Sequence, residues 1–145
     1  MSDQYSSALD TAYRRAIRFH KARNSLPAQA SAMVERHCQL AEGMSSALAS
    51  ESGIHVLNKV ELNQFLVRFG STEVSEQSDQ ATRDVIAQLA TEGSFFFSGA
   101  EWRGMCVMRV SVISWATTQA DVDQAVNVIA EAWGRVKNNA KHPAT

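Results

Sequence analysis

The chain has 145 residues, of which 45% are hydrophobic and 20% charged, and its formal net charge is -1. This length supports one domain with a real core but not two ordinary ones, and the near-neutral charge argues against generic nucleic-acid binding. No apolar run approaches a membrane span, and the N-terminus lacks the apolar core of a signal peptide, so a cytoplasmic location is expected.

Residues Ser2–Asn24 read as a helix that becomes basic towards its end, with Arg14, Arg15, Arg18, Lys21 and Arg23 around His20. Leu9, Tyr13 and Ile17 give it only a thin apolar stripe. A solvated or partner-docked helix is the expectation; a membrane surface or an acidic partner is the alternative. Pro27 breaks the pattern and sets residues 1–27 apart as an N-terminal extension.

From Ala28 to about Ser50, Val34, Cys38, Ala41 and Leu48 recur at helical spacing, widened by Met33, Leu40 and Met44. Glu35, Arg36, Gln39 and Glu42 lie on the opposite side, and Gly53 is placed to end this helix. Ile54–Leu57 reads as a short strand and Glu61–Phe69 as the next one. In the latter, Phe65, Val67 and Phe69 share one face while Gln64, Leu66 and Arg68 share the other. Ser71–Ser78 is polar and reads as a surface loop. Ser78 or Asp79 then caps a helix to about Thr91, with Val85, Ile86 and Leu89 inward.

The segment Gly93–Thr118 predicts two further strands, Ser94–Ser98 and Trp102–Ser114, with a turn at Gly99-Ala100-Glu101. Cys106, Met108, Val110 and Val112 alternate with Val107, Arg109, Ser111 and Ile113. Both faces are largely apolar, so both are expected to be covered, and the mid-strand Arg109 then needs an anion. Thr118-Gln119-Ala120-Asp121 fits a capping box. Its helix carries the stripe Val122, Val126, Ile129 and Trp133, and residues 139–145 are expected as a disordered tail. The sum is an α+β domain of two layers over residues 28–138, a mostly antiparallel sheet with helices on one face.

Chemistry-bearing motifs are few. No GxGxxG, P-loop, HExxH, CxxC or GxSxG pattern occurs, and His20, His37, His55 and His142 have no metal-ligand spacing. Cys38 and Cys106 sit within apolar patterns and are expected as free thiols in a reducing compartment. Arg68 and Arg109 remain. An arginine on a rigid strand suits a carboxylate or phosphate, whereas an ion pair with Glu61 or Glu73, or simple exposure, is the plainer alternative.

Three stretches carry a family likeness: MVERHCQLAEGMSSALASESGIHVLNKVELNQFLVRF, ATRDVIAQLATEG and MRVSVISWATTQADVDQAV. From Met33 to about Trp133 the sequence resembles the C-terminal small domain of pyridoxal-phosphate (PLP)-dependent group II decarboxylases, of the aspartate aminotransferase fold. The resemblance implies an antiparallel sheet whose second face leans on a large cofactor-binding domain. It also implies that Arg109 binds a substrate carboxylate when that domain is present. The family's cofactor lysine, in a Ser-x-Asp-x-His-Lys-Trp-like segment, has no counterpart here. The pair His20-Lys21 lacks the preceding Asp and the following Trp. The expectation is therefore a decarboxylase small domain that is inactive alone, has no catalytic or cofactor-binding residue of its own, and self-associates or docks on a large domain. A non-catalytic regulatory module or a split-enzyme subunit is the alternative.

Overall fold

The computed structural model describes residues 28–60, 62–91, 97–112 and 116–142. Among these residues, three helices, α1 (Ala28–Ala49), α2 (Glu76–Thr91) and α3 (Gln119–Lys141), are interspersed with four strands. The strands are β1 (Ile54–Val56), β2 (Gln64–Phe69), β3 (Phe97–Trp102) and β4 (Met105–Ser111). They form one antiparallel sheet in the order β1-β2-β4-β3. This is the expected α+β architecture. The basic helix expected over Ser2–Asn24 lies outside the described residues.

Period-2 alternation sorts the sheet into two faces. Ile54, Phe65, Val67, Phe69, Met108, Val110 and Val112 all face the helices and share one core with Met44, Leu48, Val85, Leu89, Ile129 and Trp133. Each helix contributes a single apolar stripe, so three helices suffice to cover this face. On α1 the stripe is rotated slightly from expectation. His37 and Ser45 are buried in it, whereas Met33 is 39% exposed.

The Thr118 capping box is present: its hydroxyl accepts from the Asp121 N–H, and the Asp121 carboxylate accepts from the Thr118 N–H. The bonds that its carboxylate accepts from the Thr118 N–H and hydroxyl hold the exposed Asp121 carboxyl below its usual range. At the other end α3 runs to Lys141, so residues 139–141, expected in the tail, are helical. The first turn of α2 also begins earlier than expected. Ser75 accepts from the Ser78 N–H, which leaves Asp79 inside the helix and free to turn inward.

The hairpin turn is where the sequence reading fails. Gly99, Ala100 and Glu101 lie within β3, paired with Met108, Val107 and Cys106. The chain reverses instead at Arg103-Gly104, between the paired Trp102 and Met105, with φ of 51° and 75°. Two consecutive positive φ values are what a two-residue loop needs to match strand twist. The Arg103 guanidinium lies 4.3 Å from the Trp102 ring centroid, a cation–π contact that favours this unusual place for a non-glycine residue. The alternation of β4 survives the shift because the turn moved without changing strand phase.

Between α1 and β1, Gly53 adopts φ +83°. It lies in the turn after the helix, which ends at Ala49. A Cβ there would sit 2.7 Å from Cζ2 of Trp133, whose indole N–H donates to the Ser52 carbonyl at 2.9 Å. Trp133 in turn packs on Phe69, centroids 5.7 Å apart. Left-handed backbone and crowding together predict that Gly53→Ala lowers stability by about 2 kcal/mol or more. Gly43→Ala, on the exposed side of α1 where a Cβ meets nothing, should instead raise it by about 0.5–1 kcal/mol. Thermal or urea unfolding followed by tryptophan fluorescence measures both; equal effects would contradict this account of the turn.

Candidate functional site

The second face of the sheet, opposite the core shared with the described helices, carries both arginines singled out in the sequence. Arg68 and Arg109 alternate with the core-facing residues of β2 and β4, and Arg109 pairs with Leu66. Among the described residues no helix residue joins the smaller apolar cluster on this face, which consists of Leu66, Met105 and Val107 with half-buried Leu57, Ala100 and Trp102. Despite their common face, the two arginines have opposite fates.

Arg68 is wholly buried and every donor it owns is used. Its Nε donates to Ser71 O at 2.8 Å, and Nη2 donates to Glu73 O and Ser75 O at 3.0 and 3.3 Å. Nη1 donates to Asp79 Oδ1 at 2.6 Å and to Cys106 O at 2.9 Å. The partner carboxylate is thus Asp79 rather than Glu73, which contributes only its carbonyl, and Glu61 lies outside the described residues. The arginine fills a gap that the sheet itself creates. β2–β4 pairing is last registered at Val67–Met108, and two residues further on Phe69 would oppose Cys106. Phe69 N–H instead bonds the Thr82 hydroxyl, and Cys106 N–H bonds Asp79 Oδ1 at 2.9 Å. Where the strands part, an ion pair completes the ladder.

Burial alone would raise the Asp79 carboxyl pKa, but the bonds from Arg68 and Cys106 and the attraction of Arg68 and Arg83 outweigh it and hold it below the usual range. The Cys106 thiol is pushed up, mainly by burial, and is therefore not a thiolate nucleophile at neutral pH.

Arg109 is half-buried, and its Nε is a buried donor without an acceptor. No ion pair reaches it among the described residues. An orphaned donor on a rigid strand is a costly feature that an anion would satisfy. The described residues contain no group of His, Cys, Asp and Glu able to hold a metal ion. They do not fit PLP either. Lys137 packs over Trp133 in the helix layer at 5.4 Å, and Lys59 and Lys141 are exposed, so none of the three is enclosed as a cofactor lysine. Lys21 lies outside the described residues.

In the sequence Asp79 reads only as a helix cap, and nothing there marks it as an arginine partner. Its distance of 11 residues from Arg68, across a loop and one helical turn, carries no periodic signal.

Solved structures that share this fold include decarboxylases. Oryza sativa TDC with PLP matches with a TM-score of 0.67 and 17% identity, covering 74% of this chain and 24% of that one. Catharanthus roseus tryptophan decarboxylase, in complex with L-tryptophan, matches with a TM-score of 0.67 at 13% identity, covering 73% and 22%. Mouse CSAD in apo form matches at 0.61 and 12%, covering 70% and 24%. The chain thus spans about a quarter of the length of these structures, and at such identities the likeness is one of fold. No protein-family model and no curated sequence matches the chain.

Because the Asp79 pKa is lowered on folding, the unfolded chain binds more protons at acid pH. The pair's contribution is then fully present above the ordinary aspartate pKa of about 3.9 and is lost as pH falls through the folded value. Asp79→Asn should cost about 3 kcal/mol at pH 7, since it strands a buried guanidinium. It should also remove part of the stability loss that the native chain suffers below about pH 5. Urea unfolding of both proteins across pH checks this; parallel pH profiles would contradict it.

Proposed function

We propose that this chain acts as the C-terminal small domain of a PLP-dependent amino acid decarboxylase, a lyase. In this reading it docks the second sheet face on a large cofactor-binding domain and presents Arg109 to the substrate carboxylate. The observation that carries it is the orphaned Nε of Arg109, on the face that no described helix covers, in a fold shared with these decarboxylases. A guanidinium held by a central strand is well placed to fork onto a carboxylate.

The chain has no catalytic role of its own in this scheme. PLP supplies the electron sink for loss of the carboxyl group, and the partner domain holds it. This chain's contribution is to orient the substrate through one charge. Docking on the large domain and self-association into a cytoplasmic dimer belong to the same proposal.

Reconstitution tests it. A decarboxylase large domain stripped of its own small domain should gain activity when this chain is added. Arg109→Met should reduce that gain at least tenfold with little change in complex formation. PLP titration of the chain alone, followed by borohydride reduction and mass mapping, should give no stoichiometric lysine adduct. A specific adduct, or docking without any activity gain, would overturn the reading; inhibition of an intact decarboxylase would favour a regulatory module instead.

A further inference from the structure

The two edges of the sheet are not alike. β1 is only three residues long, and its Ile54 N–H is taken by the Glu51 carbonyl at 3.2 Å. β3 runs for six residues, pairs one-to-one with β4 without a bulge, and carries no lysine or proline. Shortness, bulges, lysines and prolines are the usual devices against strand addition; β1 has the first and β3 has none of them. The backbone phase of β3 follows from its neighbour. The Cys106 N–H and carbonyl bond Asp79 and Arg68, and the Val112 N–H bonds Asn63, so the even-numbered residues of β4 turn their backbone towards β2. Odd-numbered Met105, Val107 and Arg109 therefore bond Trp102, Ala100 and Ser98. The N–H and carbonyl groups of Gly99 and Glu101 point out of the sheet, and among the described residues nothing meets them.

A second copy of β3, running antiparallel, supplies the missing partners. With a two-fold axis at Ala100, Gly99 of each copy faces Glu101 of the other, and all the outward groups of both residues are paired. Side chains select this register. Centring on Glu101 would oppose two carboxylates, and centring on Gly99 would set Trp102 against a position before β3 begins. With Ala100 on the axis, each Glu101 stands opposite a glycine and each Trp102 opposite a serine, so neither long side chain meets another. The Ala100 methyl groups meet where opposed Cα atoms lie about 4.5 Å apart, the closest approach in an antiparallel ladder. Ala100 and Trp102 also border the apolar cluster of Leu66, Met105 and Val107, so the clusters of the two copies join into one patch across the axis.

We infer that β3 is the self-association edge of this chain, on which a second copy adds by antiparallel β3–β3 pairing about Ala100 and joins the two four-stranded sheets into one. This inference rests on the self-association proposed above and names its surface. Because the pairing is edge to edge, it leaves the second sheet face, with Arg109, open to a large domain.

The test is analytical ultracentrifugation of the full chain up to millimolar concentration, paired with cysteine cross-linking. The native chain should pass from monomer to dimer as concentration rises. Glu101→Pro removes an outward N–H, a change that an edge strand tolerates, and should keep the chain monomeric with an unchanged circular dichroism spectrum. Ala100→Cys, oxidised with glutathione disulfide, should form a covalent dimer, because its Cα would lie within disulfide range of its own copy across the axis. Ser98→Cys, whose two copies would lie about 14 Å apart, should not. A native chain that stays monomeric, a dimer indifferent to a folded Glu101→Pro variant, or cross-linking of Ser98→Cys as complete as that of Ala100→Cys would overturn the inference. Should Glu101→Pro fail to fold, the comparison of the two cysteine variants decides. A chain that activates a large domain yet remains monomeric would sink this inference alone, whereas a dimer without activation would sink the small-domain role and leave the edge.

Discussion

The guanidinium of Arg68 is the constraint around which the sheet is arranged. Taking an arginine fully out of water costs several kcal/mol unless its charge and all its N–H groups find partners. Here Asp79 meets the charge, and carbonyls from Ser71, Glu73, Ser75 and Cys106 meet the other donors. Those partners come from the loop after β2, from α2 and from β4. A single side chain thereby fixes how the loop folds back, where α2 begins and where β2 lets go of β4. Replacing Arg68 by lysine keeps the charge but loses the planar fork and two of the donors, so the arrangement is specific to arginine.

The same arrangement explains why two arginines on one face differ in use. Arg68 lies where the strands separate and a carboxylate from α2 can enter. Arg109 lies where β4 is still paired on both sides, with Leu66 and Ser98 as its direct neighbours. No backbone carbonyl is free there, because the ladder consumes them. Its Nε is left for something outside the sheet. Fold and candidate site thus follow from one topological fact, the point at which β2 leaves β4.

Much of this was legible in the sequence because periodicity is local. The alternation of β2 and β4 correctly sorted Phe65, Val67, Met108 and Val110 from Leu66, Arg68, Val107 and Arg109, and the stripe Val122, Ile129, Trp133 identified the inner side of α3. The capping box at Thr118 was equally visible, since all its parts lie within four residues. What failed was long-range or conformationally unusual. Gly99 looked like a turn residue but lies in a strand, while Arg103 carries the left-handed conformation that its residue type disfavours. The Arg68–Asp79 pair spans a loop whose course no pattern predicts, and the isolation of the Arg109 Nε appears only once three strands are in register.

The central claim is a division of labour, with Arg68 committed to the fold and Arg109 open to a ligand. The most direct measurement is the arginine Nε–H region of a nitrogen-15 NMR spectrum, recorded while acetate is added. Arg109 should move saturably while Arg68, bonded to Ser71 and enclosed, stays fixed. Movement of both signals together, or of Arg68 alone, would mean that the ion pair is not the closed structural unit described and that the account of this face is wrong.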